Sequence, residues 1–279
     1  MSKVNWLLDK DVFREYIDSF AAEITRQGMK YKMLDCPPFT SKLDCDQYLD
    51  DECVIFYGSL VHANLVRKWS KWIPGVFYNP DAYYCRSYYP AFGELLLNSN
   101  YVMLPYGELL RRKDFLFNTL GQDKSIFVRP DFGGKSFTGT LVLEEDYELD
   151  VKDIGYGQLE KSALVVVAEP KNIISEWRFL VVNQEIKTGS RYKSNNRLMC
   201  DGTKDKDYLR ALDFAQAVVE LYDPDRAWTL DICETKDGKI HVLEIGCFSC
   251  SGLYACDKKI VIREVAKAAL EEWKEFNLD

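Results

Sequence analysis

The sequence predicts a mixed α/β and α+β protein, and three observations lead there. Apolar strand-like runs alternate with amphipathic helical stripes in the N-terminal part, two long β-hairpins dominate the second half, and a helical stripe closes the chain. Phe13, Tyr16, Ile17, Phe20 and Ile24 recur at helical spacing, in a helix entered at Asp11 and closed near Gly28. The run 52–59 (ECVIFYGS) predicts a strand that leads into a helix over 60–72, and Pro74-Gly75 predicts a chain turn. Residues 76–90 are aromatic-rich and irregular, and their tyrosines suit either a core or a stacking surface for a base or substrate. A short strand at 101–104 and a helix through 109–117 follow. A β run ends at Arg129-Pro130, and after a glycine loop a second begins at Thr140. The last helix, 260–276, carries Val261, Val265, Ala268, Ala269 and Trp273 on one side, a stripe suited to capping a sheet. No Gly/Ser/Pro-rich linker marks a boundary, and the change of pattern near residue 100 divides the chain into 1–100, a small α/β domain, and 101–279.

Composition excludes several function classes. With 279 residues and 47% hydrophobic content the chain can bury a large core. A formal net charge of −8 and a pI near 5.1 argue against general nucleic-acid binding, while leaving room for one basic cleft. Nine cysteines without a basic–apolar–small leader read as reduced thiols of a cytoplasmic protein. No apolar run approaches the length of a membrane span.

The most informative stretch is 226–246, RAWTLDICETKDGKIHVLEIG, two β-rich runs joined through Asp237-Gly238. A two-residue type I′ turn there sets Asp231 directly opposite Glu244 and sends Leu230, Ile232, Leu243 and Ile245 to the buried face. Opposed like charges destabilise a sheet unless something lies between them, and a divalent cation such as Mg²⁺ answers that need. The alternative is a solvated acidic pair on an exposed face. On the metal reading, neutralising either carboxylate leaves the metal-free fold equally or slightly more stable.

Two further stretches supply positive charge. Between the β runs of 125–143 lie Gly133, Gly134, Lys135 and Gly139, and Arg129 ends the first run. Glycines let backbone N–H groups approach phosphate, to which Arg129 and Lys135 add charge, although an ordinary hairpin connection has the same composition. In 163–193 an apolar run ends at Glu169-Pro170, and a hairpin turns at Asn183-Gln184. The simple register sets Glu176 opposite Arg191 and Arg178 opposite Gly189. Glu176, Arg178, Lys187 and Arg191 then share one face, suited to an anion, with Trp177, Phe179, Val181 and Ile186 on the other. His62 and His241 read as structural. Cys247-Phe-Ser-Cys250 has zinc or redox spacing but neither a second pair nor a βαβ context.

The order of these parts resembles the ATP-grasp superfamily. FVRPD…GGKSFTG, SEWRFLVV…TGSRY and LDI…HVLEI…SGLYACD, covering about 100–279, resemble the clade named for two arginines and a lysine, common in bacteriophage and bacterial genomes; 57–59 and 74–90 resemble its N-terminal region more loosely. The resemblance implies an ATP-grasp fold of two α+β subdomains gripping Mg-ATP, preceded by the small α/β domain. It implies that Arg129 contacts the nucleotide, that Lys135 with Gly133 and Gly134 reaches phosphate, and that the segment from Val167 to Glu169 takes the adenine. Arg178 and Arg191 match the two arginines and would hold phosphate or a substrate carboxylate beside Glu176, and Asp231 and Glu244 match the metal ligands. Where the superfamily often has Asn, this chain has Gly246, with Ser249 or water as substitutes in the metal shell. The implied activity is an ATP-dependent, ADP-forming carboxylate–amine ligase that uses ATP and Mg²⁺ on small-molecule or peptide substrates, in the host cytoplasm if phage-encoded. The alternatives are a small-molecule kinase on the same fold and a degenerate nucleotide-binding module.

Overall fold

A computed structural model describes residues 3–35, 52–69, 72–132, 137–156, 159–195 and 197–278. In chain order the N-terminal elements are β1 (Val4–Asp9), α1 (Ile17–Arg26), β2 (Lys30–Leu34), β3 (Cys53–Tyr57), α2 (Leu60–Trp69), β4 (Ile73–Gly75) and α3 (Cys85–Phe92). There follow β5 (Tyr101–Pro105), α4 (Tyr106–Leu109), α5 (Lys113–Leu120), β6 (Ser125–Pro130), β7 (Thr140–Leu143), α6 (Tyr147–Ile154) and β8 (Leu164–Ala168). The remainder is β9 (Ile173–Val182), β10 (Glu185–Ser194), β11 (Arg197–Asp201), α7 (Lys206–Val218), β12 (Ala227–Thr235), β13 (Ile240–Cys247) and α8 (Lys258–Leu278). The fold is mixed α/β and α+β, with parallel and antiparallel sheets, and the chain separates into two compact units.

The first unit comprises 1–79, 175–232 and 244–279. Its parallel sheet runs β2-β1-β3-β4. All six residues of β1 and all five of β3 are buried, the continuous apolar reading of a strand covered on both faces. Trp6, Phe20, Tyr57, Phe77 and Phe248 pack with Val261, Val265 and Ala269 of α8 in one core, so the final helix does cover a sheet. A second sheet, largely in this unit, has the order β11-β10-β9-β12-β13. The second unit comprises 80–174 and 233–243. Its antiparallel sheet runs β5-β8-β6-β7, and Leu104, Leu116, Ile126, Val128, Val151, Val165 and Val167 fill its core.

Local readings change in four places. Phe13 joins the core as expected, but α1 begins at Ile17, not Asp11. Pro74-Gly75 extends the parallel sheet as an edge strand opposite Val54 and Ile55, where the missing proline N–H costs no ladder bond. The helix expected over 109–117 is broken into α4, a 3₁₀ turn at Leu110–Arg112, and α5. The type I′ turn at Asp237-Gly238 does not form: Gly238 N–H donates to the Thr235 carbonyl at 2.8 Å, Thr235 N–H to the Lys239 carbonyl at 2.9 Å, and of the pair only Gly238 has positive φ (+79°). That is a three-residue loop, a type I turn closed by a glycine bulge.

The Asn183-Gln184 turn does form with two positive φ angles, +50° and +60°. Register then slips twice, between Ile186 and Thr188 and between Arg191 and Lys193. Each slip of one residue exchanges the faces. Arg178 therefore stands opposite Ser190, Arg191 opposite Trp177, and Glu176 opposite Lys193. The basic face expected to unite Glu176, Arg178, Lys187 and Arg191 does not exist: Arg191 lies with Trp177, on the face away from Arg178.

Candidate active site

In the first unit, Arg178 projects from β9 onto Asp231 of β12. Its Nε donates to Oδ1 at 2.8 Å and its Nη2 to Oδ2 at 2.7 Å, a planar fork on a planar carboxylate, while Nη1 donates to the Gly252 carbonyl at 2.9 Å. The Tyr192 hydroxyl donates to Oδ2 at 3.2 Å. The rings of Tyr192 and Tyr254 stack at 4.6 Å, and the guanidinium lies 5.6 and 5.2 Å from their centroids. Tyr254 is held at φ +49°, a conformation a bulky residue adopts only when its surroundings over-determine it. Here the stack, the Leu253 N–H to Tyr16 hydroxyl bond of 3.1 Å, and the Ala255 N–H to Ser190 Oγ bond of 3.1 Å do so.

Asp231 is 1% exposed. Burial pushes its carboxyl upward, the Arg178 charge and bonds pull it back, and Glu244 pushes it up again. Burial opposes the Arg178 charge too, but the carboxylate outweighs it, and the guanidinium titrates well above its ordinary range. Burial first, then Asp231, raises Tyr192, which stays a neutral donor. The compensation that the sequence assigned to a cation between two carboxylates is thus supplied in part by Arg178. Glu244 lies close enough for its charge to act on Asp231, Tyr192 and Tyr254.

Gly246 is enforced by packing. Thr229 Oγ1 donates to the Gly246 carbonyl at 3.2 Å and lies 3.2 Å from Ser251 Oγ, and a Cβ on Gly246 would stand 2.7 Å from both hydroxyls. The neighbouring hydroxyl is that of Ser251, whereas Ser249 Oγ accepts the Phe77 N–H at 3.0 Å. Gly246→Ala is expected to cost about 1–3 kcal/mol, because the buried Thr229 side chain must move; urea unfolding checks it.

Elsewhere in this unit Arg191 Nη2 donates to both Asp205 oxygens at 2.9 and 2.7 Å and lies 5.5 Å from the Trp177 ring. Asp205 caps α7 through the Tyr208 N–H at 2.8 Å. Glu176 is buried and accepts from Lys193 at 2.7 Å, and Lys187 pairs with Glu185. His62 is buried and hydrogen-bonds Ser59 at 2.5 Å.

In the second unit Arg129 is 9% exposed, opposite Val166. Burial raises the Cys85 thiol and the Arg129 charge lowers it; the same charge acts on Tyr89. Val167 sits mid-strand, opposite Val102 and Val128, so the sheet ladder occupies its backbone groups. Glu169, just past β8, accepts from Asn100 at 2.7 Å, Lys171 at 2.7 Å and Gln122 at 3.4 Å, and the Lys171 bond foremost holds its carboxyl below the ordinary range. Gly133, Gly134 and Lys135 lie outside the described residues. His241 is half-buried, which lowers its pKa.

A metal fits this donor set in one way. Among the described residues no group of three or more His, Cys, Asp or Glu side chains is placed to hold a metal ion. Two carboxylates, Asp231 and Glu244, suit Mg²⁺, which completes its shell with phosphate oxygens and water. Sequence reasoning missed Tyr192, Tyr254, Gly252 and Asp205. The two tyrosines do sit inside recognisable motifs, TGSRY and SGLYACD, so an aromatic in each motif was the available signal.

Among the described residues no helix is long and apolar enough to cross a membrane. No curated protein matches the chain. Of solved structures, D-cycloserine synthetase DcsG superposes with a TM-score of 0.66 at 12% identity, covering 95% of this chain and 99% of that one. D-alanyl-alanine synthetase A from Vibrio cholerae gives 0.61 at 12% identity, covering 98% and 99%. The ATP-grasp ligase PsnB, complexed with minimal precursor, gives 0.58 at 14% identity, covering 97% and 99%. At such identities these likenesses establish the ATP-grasp fold. The sequence profile of the ATP-grasp domain in the clade named for two arginines and a lysine, family 2, matches residues 113–263, more than half of the chain and all of the Arg178, Arg191, Asp231 and Glu244 positions; the chain belongs to that family.

Proposed function

We propose that this protein is an ATP-dependent, ADP-forming carboxylate–amine ligase working through an acyl phosphate. The carrying observation is the buried Arg178–Asp231–Tyr192 cluster with Glu244 beside it, within the family match. Bound Mg-ATP would supply the phosphoryl group and the charge neutralisation that phosphoryl transfer requires. Asp231 and Glu244 are the proposed metal ligands. Arg178, fixed by the carboxylate and two tyrosines, presents a pre-organised cation to phosphate or to the substrate carboxylate. Arg191, turned to Asp205 on the other face, supports the reading best as a residue that positions β10. Glu176 holds Lys193 near the same sheet. For the nucleotide we propose Arg129 and Lys135 with the Gly133 and Gly134 amides at phosphate. For adenine we propose the chain end at Glu169, in preference to Val167, whose backbone the ladder occupies. Residues 1–100 are proposed as the α/β region preceding an ATP-grasp region of 101–279, in a cytoplasmic protein whose described cysteines are free thiols. Small-molecule or peptide carboxylates and amines are the proposed substrates, in line with neighbours named as two synthetases and a ligase complexed with a precursor.

The experiment is a screen of carboxylates with Mg-ATP and hydroxylamine. ADP release that depends on a carboxylate, together with a hydroxamate product, is expected, because hydroxylamine traps an acyl phosphate. A stable phosphate ester without hydroxamate establishes a kinase. The absence of any Mg-ATP-induced rise in melting temperature refutes nucleotide binding, since ligand at 100 times its Kd adds about 2.7 kcal/mol.

A further inference from the structure

The aromatic segment 84–89 has no role in the reading above, yet it grips the end of β6. The Asp131 carboxylate, in a residue only 2% exposed, accepts the Arg86 backbone N–H at Oδ1 (2.9 Å) and pairs with the Arg86 guanidinium at Oδ2. The Asp131 carbonyl accepts the Cys85 N–H at 2.7 Å, and its own N–H donates to the Leu164 carbonyl at 3.1 Å. Tyr84 forms an isolated antiparallel bridge with Phe132, their rings 4.8 Å apart, and the Arg86 guanidinium stacks 3.6 Å above Tyr84. All of these residues belong to the second unit, and Arg129 lies two residues before Asp131.

We infer that Arg86 and Asp131 are a positioning pair that fixes the exit of β6 and thereby sets Arg129 for nucleotide binding; the inference rests on the nucleotide reading above. The coupling is electrostatic. Asp131 makes three of its bonds through groups that hold the 130–132 backbone in place, and its charge is buried. Arg86 is the cation paired with it, and the stack on Tyr84 limits the guanidinium's freedom. Without Arg86 the carboxylate must gain water or a proton. Either change loosens the Phe132 bridge and displaces Arg129, and a displacement near 1 Å is enough to cost on the order of a hundredfold in a positioned site. Arg86 acts here through Asp131, not by touching nucleotide.

Calorimetric titration of the full chain with Mg-ATP tests this, at a temperature where the apo forms of Arg86→Ala, Arg86→Gln, Asp131→Asn and the Arg86→Ala/Asp131→Asn double variant are all folded. Each single variant is expected to weaken Kd by about tenfold or more. The double variant should bind no worse than the weaker single, because both substitutions break one link. Arg86→Lys, which retains a cation for Asp131, should recover part of the loss. Wild-type Kd in the single variants, whatever their melting temperatures, shows a purely structural pair and overturns the inference. Additive losses in the double variant place Arg86 on the nucleotide directly and overturn it as well. If wild type itself takes up no Mg-ATP, the nucleotide reading fails and this inference with it.

Discussion

Arg178→Ala is expected to lower the free energy of unfolding by about 3–5 kcal/mol, the usual cost of removing one partner from a buried, hydrogen-bonded ion pair. Among the described residues, Asp231 would be left buried with only the Tyr192 hydroxyl as donor. Asp231→Asn should cost a similar amount, since the guanidinium then keeps its charge without its counter-charge. This reverses the expectation drawn from sequence, where neutralising Asp231 relieved a repulsion. The relief from Glu244 is real, but losing the two short bonds from Arg178 outweighs it. Replacing both residues by apolar side chains, Arg178→Met with Asp231→Leu, should regain much of the loss, because no unpaired charge remains. Urea titration of the variants beside wild type decides the matter; an Asp231→Asn variant as stable as wild type would show that the pair does not hold the sheet.

Glu244→Gln is expected to separate stability from activity. Glu244 is less buried than Asp231, so its amide should change the unfolding free energy by less than about 1 kcal/mol, or raise it slightly by relieving the push on Asp231. Mg²⁺-dependent turnover should fall by more than about 100-fold, since even the outer partners of metal ligands are commonly worth 10- to 100-fold. The comparison with Asp231→Asn is the informative one: both should lose turnover, but only Asp231→Asn should lose several kcal/mol of stability. If Glu244→Gln retains turnover at saturating Mg²⁺, Glu244 is not a metal ligand.

Much of the fold was legible because it follows from local periodicity. The buried runs of β3 and β8, the helical stripes of α1 and α8, and both hairpins are written in apolar spacing and turn residues, which act over a few positions. Motif order led to the ATP-grasp family, and the matched profile and fold bear that out. Several short or polar elements escaped the same reading, among them β1, β2, β11, α6 and α7. In β11 every residue but Asp201 is exposed, and an exposed edge strand has no alternation to betray it.

By itself, then, the sequence indicated the family and the hairpins; the two-residue turn from which it set Asp231 opposite Glu244 does not form, and their nearness is a finding of the structure. Tertiary structure alone decided which charges meet. One register slip in β10, between Ile186 and Thr188 and invisible in composition, set Arg191 opposite Trp177, where it also meets Asp205, and set Arg178 opposite Ser190; Arg178 reaches across to Asp231 of β12. A side-chain period of two makes a one-residue slip a complete exchange of faces, so a strand's sequence names its residues but not their partners. Gly246 shows the same division. The sequence registered an absent side chain; only packing showed that the Thr229 and Ser251 hydroxyls occupy the space where one would begin.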